Sequence, residues 1–165
     1  MTPYDAYLSF FPSTRESRVS LILEGIRRNT GCDPNEDSNM ANIRRMESFL
    51  GFLKNHFDPN RFEIRIQPIP RARVRTTDKN FIVTVPGRSS EKIILVAHYD
   101  TWAGFSRCAP GADDNTSGEE VLKQYLLRDL CSPDAPPLTH IYLFSGSEEC
   151  GTRGLISQLG VTIGM

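Results

Sequence analysis

No run in the sequence approaches the roughly 18 apolar residues of a membrane span, and the start MTPYDAYLSFFPSTRESR has no basic segment leading into an apolar one. No membrane span and no signal peptide are expected, which makes the cytoplasm the default location. The four cysteines, Cys32, Cys108, Cys131 and Cys150, form no C-x-x-C pair. That argues against a zinc knuckle or a small disulfide scaffold. A reducing or metal-handling compartment fits this usage, while the even count also leaves secretion open. An excess of one charge is missing too, since 19 basic and 20 acidic residues leave a net charge of -1. The basic run Arg71, Arg73, Arg75 has no interleaved aromatics, so it reads as a solvated face and no nucleic-acid partner is expected. There is no G-x-S-x-G elbow, so Ser117 and Ser145 are assigned to capping and turns.

What is present is ordinary for a globular protein, with 39% apolar and 24% charged residues over 165 positions. That length suits a single domain, 1–165, with one core. Its first part, 1–60, reads as a helical lead-in. Ser13-Thr14-Arg15-Glu16 is a capping box, with Val19, Ile22, Leu23 and Ile26 following at helical spacing. Met40, Ile43, Met46, Phe49, Leu50, Leu53 and Phe57 mark a second amphipathic helix, which Pro59 closes.

The remainder, 61–165, reads as an α/β core. RFEIRIQPIP alternates from Phe62 to Ile66 and NFIVTVPG is rich in β-branched residues, so two strands flank a turn around Thr77–Asn80. KIILVAH carries five consecutive apolar residues, Ile93 to Ala97, as a strand covered on both faces would. A second capping box, Ser117 to Glu120, opens a helix with Val121, Leu122, Tyr125, Leu126 and Leu130 facing inward. LTHIYLF is another buried strand, and SGSEECGTRGLISQL turns from it into a short helix. A βαβα order sets the carboxyl ends of parallel strands along one sheet edge, where open α/β folds bind ligands.

Three segments converge on that edge: His98-x-Asp100 after one strand, Asp114 in GADDNTSG, and Glu148-Glu149 after the next strand. Imidazole with carboxylates is a zinc donor set, whereas an all-oxygen shell would suit magnesium or calcium. Each residue alone has a structural explanation, as a hydrogen-bonded strand end, a polar turn or first-turn acids of a helix. Their order and flanking strands favour a metal site. His140 inside a strand and His56 at a helix end are expected to be structural.

The pieces AHYDT, PGADDNTSG and LFSGSEECGTRGL resemble the M28 family of zinc metallopeptidases, over about Asn80 to Leu159. The M20 family also pairs H-x-D with E-E, but GADDNTSG follows M28. The resemblance implies an α/β fold with a mixed, mostly parallel sheet flanked by helices, of the zinc aminopeptidase/phosphorylase-hydrolase kind and incomplete at the C-terminus. It implies that His98 ligates one Zn2+, that Asp114 bridges two and that Glu149 ligates the other. Asp100 matches the acid that orients the histidine, and Glu148 the general base that takes a proton from water and returns one to the departing amine. Relatives need no thiol where Cys108 and Cys150 stand.

The activity implied is removal of N-terminal residues from peptide substrates by a dizinc-activated water. A further Asp and a later His complete the two zinc shells in the family, and neither has a place before Met165. Three accounts follow: a fragment of an active peptidase, a non-catalytic metal-binding or interaction remnant, or a site completed by a partner chain. A glutaminyl-cyclase-like single-zinc enzyme is a related alternative, and an exposed sheet edge would invite self-association.

Overall fold

The computed structural model describes residues 38–69, 79–102 and 111–149. The first helix expected from Ser13, the arginines at 71, 73 and 75, Cys32, Cys108, Cys150 and the helix expected after Glu149 lie outside the described residues.

Helix α1 runs Ser38–His56. Ile43, Met46, Leu50, Leu53 and Phe57 recur at spacings of three and four, and all five are buried. Met40, assigned to the same stripe, is exposed, because it precedes the part of the helix that lies on the core. Asp58 then caps a single 3-10 turn, Pro59–Arg61, by accepting from the Asn60 N–H at 2.9 Å. Pro59 fits there because a first helical position has no intrahelical use for its N–H.

Four strands follow: β1 Glu63–Pro68, β2 Lys79–Val85, β3 Lys92–His98 and β4 Thr139–Ser145. Helix α2, Ser117–Cys131, connects β3 to β4. The sheet order is β1-β2-β4-β3, with β1–β2 and β2–β4 antiparallel and β3–β4 parallel. The mixed α/β sheet is as expected, but its parallel part among the described strands is the β3–β4 ladder alone. A long connection through a helix is what parallel neighbours require, and only β3 and β4 are so joined here. β2 begins at Lys79, so Lys79 and Asn80 belong to the strand rather than to a turn. Asn80 is held inside by donating to Gln67 Oε1 at 2.9 Å and accepting from the Gly146 N–H at 3.1 Å.

The core gathers Phe81, Val83 and Val85 of β2, Tyr142 and Phe144 of β4, the α1 stripe and Leu122, Leu126 and Leu130 of α2. β4 is buried as its apolar run implies. β3 is not: Ile93, Ile94 and Val96 are 42%, 40% and 45% exposed. Its apolar run led to the expectation of two covered faces, whereas β3 stands at an edge of the described sheet. α2 differs as well, with Val121 and Tyr125 exposed while Glu119, Glu120 and Lys123 are buried. Ion pairing among those three groups takes the place of water, with Lys123 Nζ 2.5 Å from Glu119 Oε1 and 2.9 Å from Glu120 Oε1. Arg45 Nη2 of α1 reaches Glu119 Oε2 at 3.1 Å.

His140 and His56 are held as structural groups. His140 Nδ1 and the Tyr142 hydroxyl converge on Asp129 Oδ2, and His56 Nδ1 lies 2.9 Å from the Phe52 carbonyl oxygen. Burial, followed by the hydrogen bond to the Asp129 carboxylate, pushes the Tyr142 phenol upward. The Cys131 thiol is likewise pushed up, to about 11, by burial that outweighs the opposing charge of Arg61. It is therefore a poor nucleophile.

Candidate metal centre

The parallel register pairs His98 with Ser145, so β3 and β4 end level with each other. The Tyr99 N–H continues the ladder to the Ser145 carbonyl at 3.0 Å. Asp100 thereby comes beside the turn that leaves β4. Its Oδ1 accepts the Glu148 N–H and its Oδ2 the Glu149 N–H, each at 3.2 Å. Ser147 before them is buried with φ +55, the left-handed conformation in which a non-glycine residue is uncommon. Two successive N–H groups converging on one carboxylate make a backbone anion site filled by the chain's own acid.

The Asp114 loop is shaped by Gly111, at φ +58, whose missing Cβ would stand 2.2 Å from Thr101 Cγ2. The Thr116 N–H closes the loop on the Gly111 carbonyl at 2.9 Å. The helix after it is not capped by Ser117. Asn115 Oδ1 accepts the Gly118 N–H at 3.1 Å, and the Ser117 hydroxyl donates to the Asp113 carbonyl at 2.8 Å. The residue before the helix is Thr116, which makes no side-chain cap, and the capping-box pattern is not met because the chain kinks at Asp114 and Asn115, which have non-helical dihedrals.

His98 Nδ1 lies 3.2 Å from the Asp100 carbonyl oxygen and 3.6 Å from Asp100 Oδ1. The carbonyl is therefore the hydrogen-bond acceptor, and the carboxylate acts through its charge. His98 Nε2 lies 2.9 Å from Asp114 Oδ1. With Nδ1–H given to the carbonyl, a neutral imidazole would turn its Nε2 lone pair toward a carboxylate oxygen, an arrangement that calls for a proton or a cation between them. Burial opposes the imidazolium, but Asp100, Glu148 and Asp114 prevail and lift His98 from 6.5 to about 9. Glu149 is also raised, first by burial and then by the charges of Asp114 and Asp100.

One donor atom each from His98, Asp114 and Glu149 lies within 4.8 Å of the others. Sequence reasoning named these three, and the fold brings them together with Asp100 and Glu148. Ligands about 2 Å from a tetrahedral zinc stand roughly 3.4 Å apart. His98 Nε2 and Asp114 Oδ1 need open only slightly to admit the ion, and the clustered carboxylates favour a cation. Asp113 and Asp114 are both exposed. Missed by sequence reasoning were Asn80, which anchors Gly146, and the α1 residues Asn39, Asn42 and Arg45; isolated polar residues with distant partners leave no periodic signal.

Residues 80–155 match the family model Peptidase family M28. Leucine aminopeptidase 1 of Arthroderma otae is 41% identical over 63 residues, covering 33% of this chain and 17% of that protein. Leucine aminopeptidase 1 of Colletotrichum graminicola is 33% identical over 96 residues, covering 53% and 23%. The chain thus spans less than a quarter of the length of either curated relative. The aminopeptidase LapA of Legionella pneumophila shares the fold, with TM-score 0.68 and 16% identity over 84% of this chain and 37% of that one. A glutaminyl cyclase of Bacteroides thetaiotaomicron bound to N-acetylhistamine does so at TM-score 0.53 and 18% identity, over 75% and 44%. The M28 resemblance drawn from the motifs holds, and the fold is the one these solved structures share. Among the described residues no helix is long and apolar enough to cross a membrane.

Proposed function

We propose that this chain, an M28-type sequence across residues 80–155, carries the metal-binding part of a zinc aminopeptidase site. His98, Asp114 and Glu149 are the metal ligands. The observation that carries the reading is their convergence within 4.8 Å at the common end of β3 and β4.

His98, Asp114 and Glu149 would hold a zinc ion, whose Lewis acidity would serve to polarise a peptide carbonyl and acidify water. The chain's own groups do the rest. The Asp100 carbonyl fixes the imidazole through Nδ1 and leaves Nε2 for the ion. The Asp100 carboxylate holds the backbone of Glu148 and Glu149, so one buried acid sets both the ligand and its neighbour. Glu148 is the general base, taking a proton from water and returning it to the departing amine. Asp114, with two carboxylate oxygens, would be the residue able to serve a second ion as well as the first. The substrate is a peptide with a free amino terminus.

Cyclisation of an N-terminal glutamine is the weaker reading, because its support is fold likeness alone, and one fold hosts many chemistries. The test is hydrolysis of chromogenic aminoacyl amides by the purified chain with added zinc. Any turnover should be lost with a chelator and in Glu148→Gln. Turnover that survives both treatments contradicts the proposal.

A further inference from the structure

Helix α1 touches both ligand-bearing segments through one row of polar side chains spaced three residues apart. At its first turn the Thr101 N–H donates to Asn39 Oδ1 at 3.1 Å, and Asn39 Nδ2 donates to the Thr101 carbonyl at 3.4 Å. Thr101 directly follows Asp100 in the chain. Asn42 Nδ2 lies 3.5 Å from Thr101 Oγ1, the longest link of the row. Arg45 Nη1 donates to Asn42 Oδ1 at 2.6 Å, and its Nη2 to Glu119 Oε2 at 3.1 Å. Glu119 is fully buried in the first turn of α2, five residues after Asp114.

The links from this row to residues outside α1 span 59 to 74 residues of sequence, so it joins parts of the chain that no local structure connects. A helix is stiff, and the six residues from Asn39 to Arg45 fix about 9 Å along its axis. Each end is bonded to a segment that carries part of the metal centre. Asn39 grips the stretch after His98 and Asp100, and Arg45 grips the helix that begins where the Asp114 loop ends. The planar guanidinium serves Asn42 and Glu119 together, a geometry that a lysine cannot copy.

Resting on the metal-centre reading above, we infer that Asn39 and Arg45 are positioning residues: α1 is a spacer that sets the gap between His98 and Asp114, and so sets zinc affinity from side chains that touch no metal. Residues outside the ligand sphere that orient ligands typically change metal affinity 10- to 100-fold.

The test compares Asn39→Ala, Arg45→Met, their double variant and Val85→Ala in the full chain. Val85 is buried at the end of β2, apart from the row, and reports the effect of general destabilisation. Zinc affinity is read by competition with a chromogenic chelator, and metal-free hydrogen exchange is read at the Thr116 and Thr101 amides. The spacer requires about tenfold weaker zinc binding in each single variant. It also requires a double variant no worse than the weaker single, and faster exchange at Thr116 in Arg45→Met and at Thr101 in Asn39→Ala. Zinc affinity at the wild-type level in both variants, or a loss matched by Val85→Ala at equal melting temperature, overturns it. If His98→Ala binds zinc as tightly as the wild type, the metal-centre reading fails separately. Exchange then decides the spacer, and unchanged Thr116 protection in Arg45→Met overturns it.

Discussion

The carboxylate of Asp100, two residues past β3, accepts the backbone N–H of Glu149, 3.2 Å from Oδ2, across 49 residues of sequence. Its other oxygen does the same for Glu148. One buried acid therefore ties the histidine-bearing strand end to the glutamate turn. Asp100→Asn keeps the volume but removes the charge and one acceptor. The expected loss is about 1.5–3 kcal/mol of stability, with zinc affinity lowered 10- to 100-fold. Urea denaturation and chelator competition on the same protein check both.

The metal-free site should make stability fall as pH rises. His98 is raised to about 9 in the folded chain from 6.5. Its contribution is therefore fully present below 6.5 and lost as pH rises through about 9. At the usual conversion this is at most about 3 kcal/mol. Glu149, also raised, acts in the same direction from lower pH upward. Melting temperatures from pH 6 to 9.5 with a chelator should decline, and saturating zinc should flatten the decline. His98→Gln should remove most of the pH dependence above 6.5.

Gly111 holds the Asp114 loop in a left-handed turn against Thr101. Gly111→Ala adds a Cβ to a position at φ +58 with a heavy atom 2.2 Å away. A destabilisation of about 1–3 kcal/mol is expected, together with weaker zinc binding, because Asp114 rides on this loop. Wild-type zinc affinity in that variant would show that the loop's shape is irrelevant to the site.

At the far end of α2, Asp129 should matter to stability alone. Its carboxylate receives Tyr142 and His140, and it is buried. Asp129→Ala leaves both without this partner and is expected to cost about 2–4 kcal/mol. Zinc affinity should stay at the wild-type value when measured well below the melting temperature.

Sequence periodicity located the elements better than it located their faces. LTHIYLF and KIILVAH are both apolar runs, yet among the described strands β4 is central and β3 stands at an edge. A run of this kind reports hydrophobicity and not which neighbours are present. In α2, the rule that apolar residues face inward placed Val121 and Tyr125 in the core. Instead, Glu119, Glu120 and Lys123 form a buried charged cluster, which the half-buried Arg45 of α1 joins through Glu119. Mutual pairing offsets the desolvation that would otherwise keep such groups outside. The convergence of His98, Asp114 and Glu149 was legible because chemistry and topology point the same way: β3 and β4 are parallel, so their exit loops share one edge. Asn39, Asn80 and Arg45 were not, since one polar side chain bonding a distant backbone resembles any surface residue.

The most direct test of the zinc ligands is X-ray absorption at the zinc edge of the full chain loaded with one equivalent of metal, beside His98→Ala. The account requires a shell of nitrogen and oxygen at about 2.0–2.2 Å, with an imidazole contribution that disappears in the variant. Sulfur at about 2.3 Å, or an imidazole signal unchanged in His98→Ala, would contradict it.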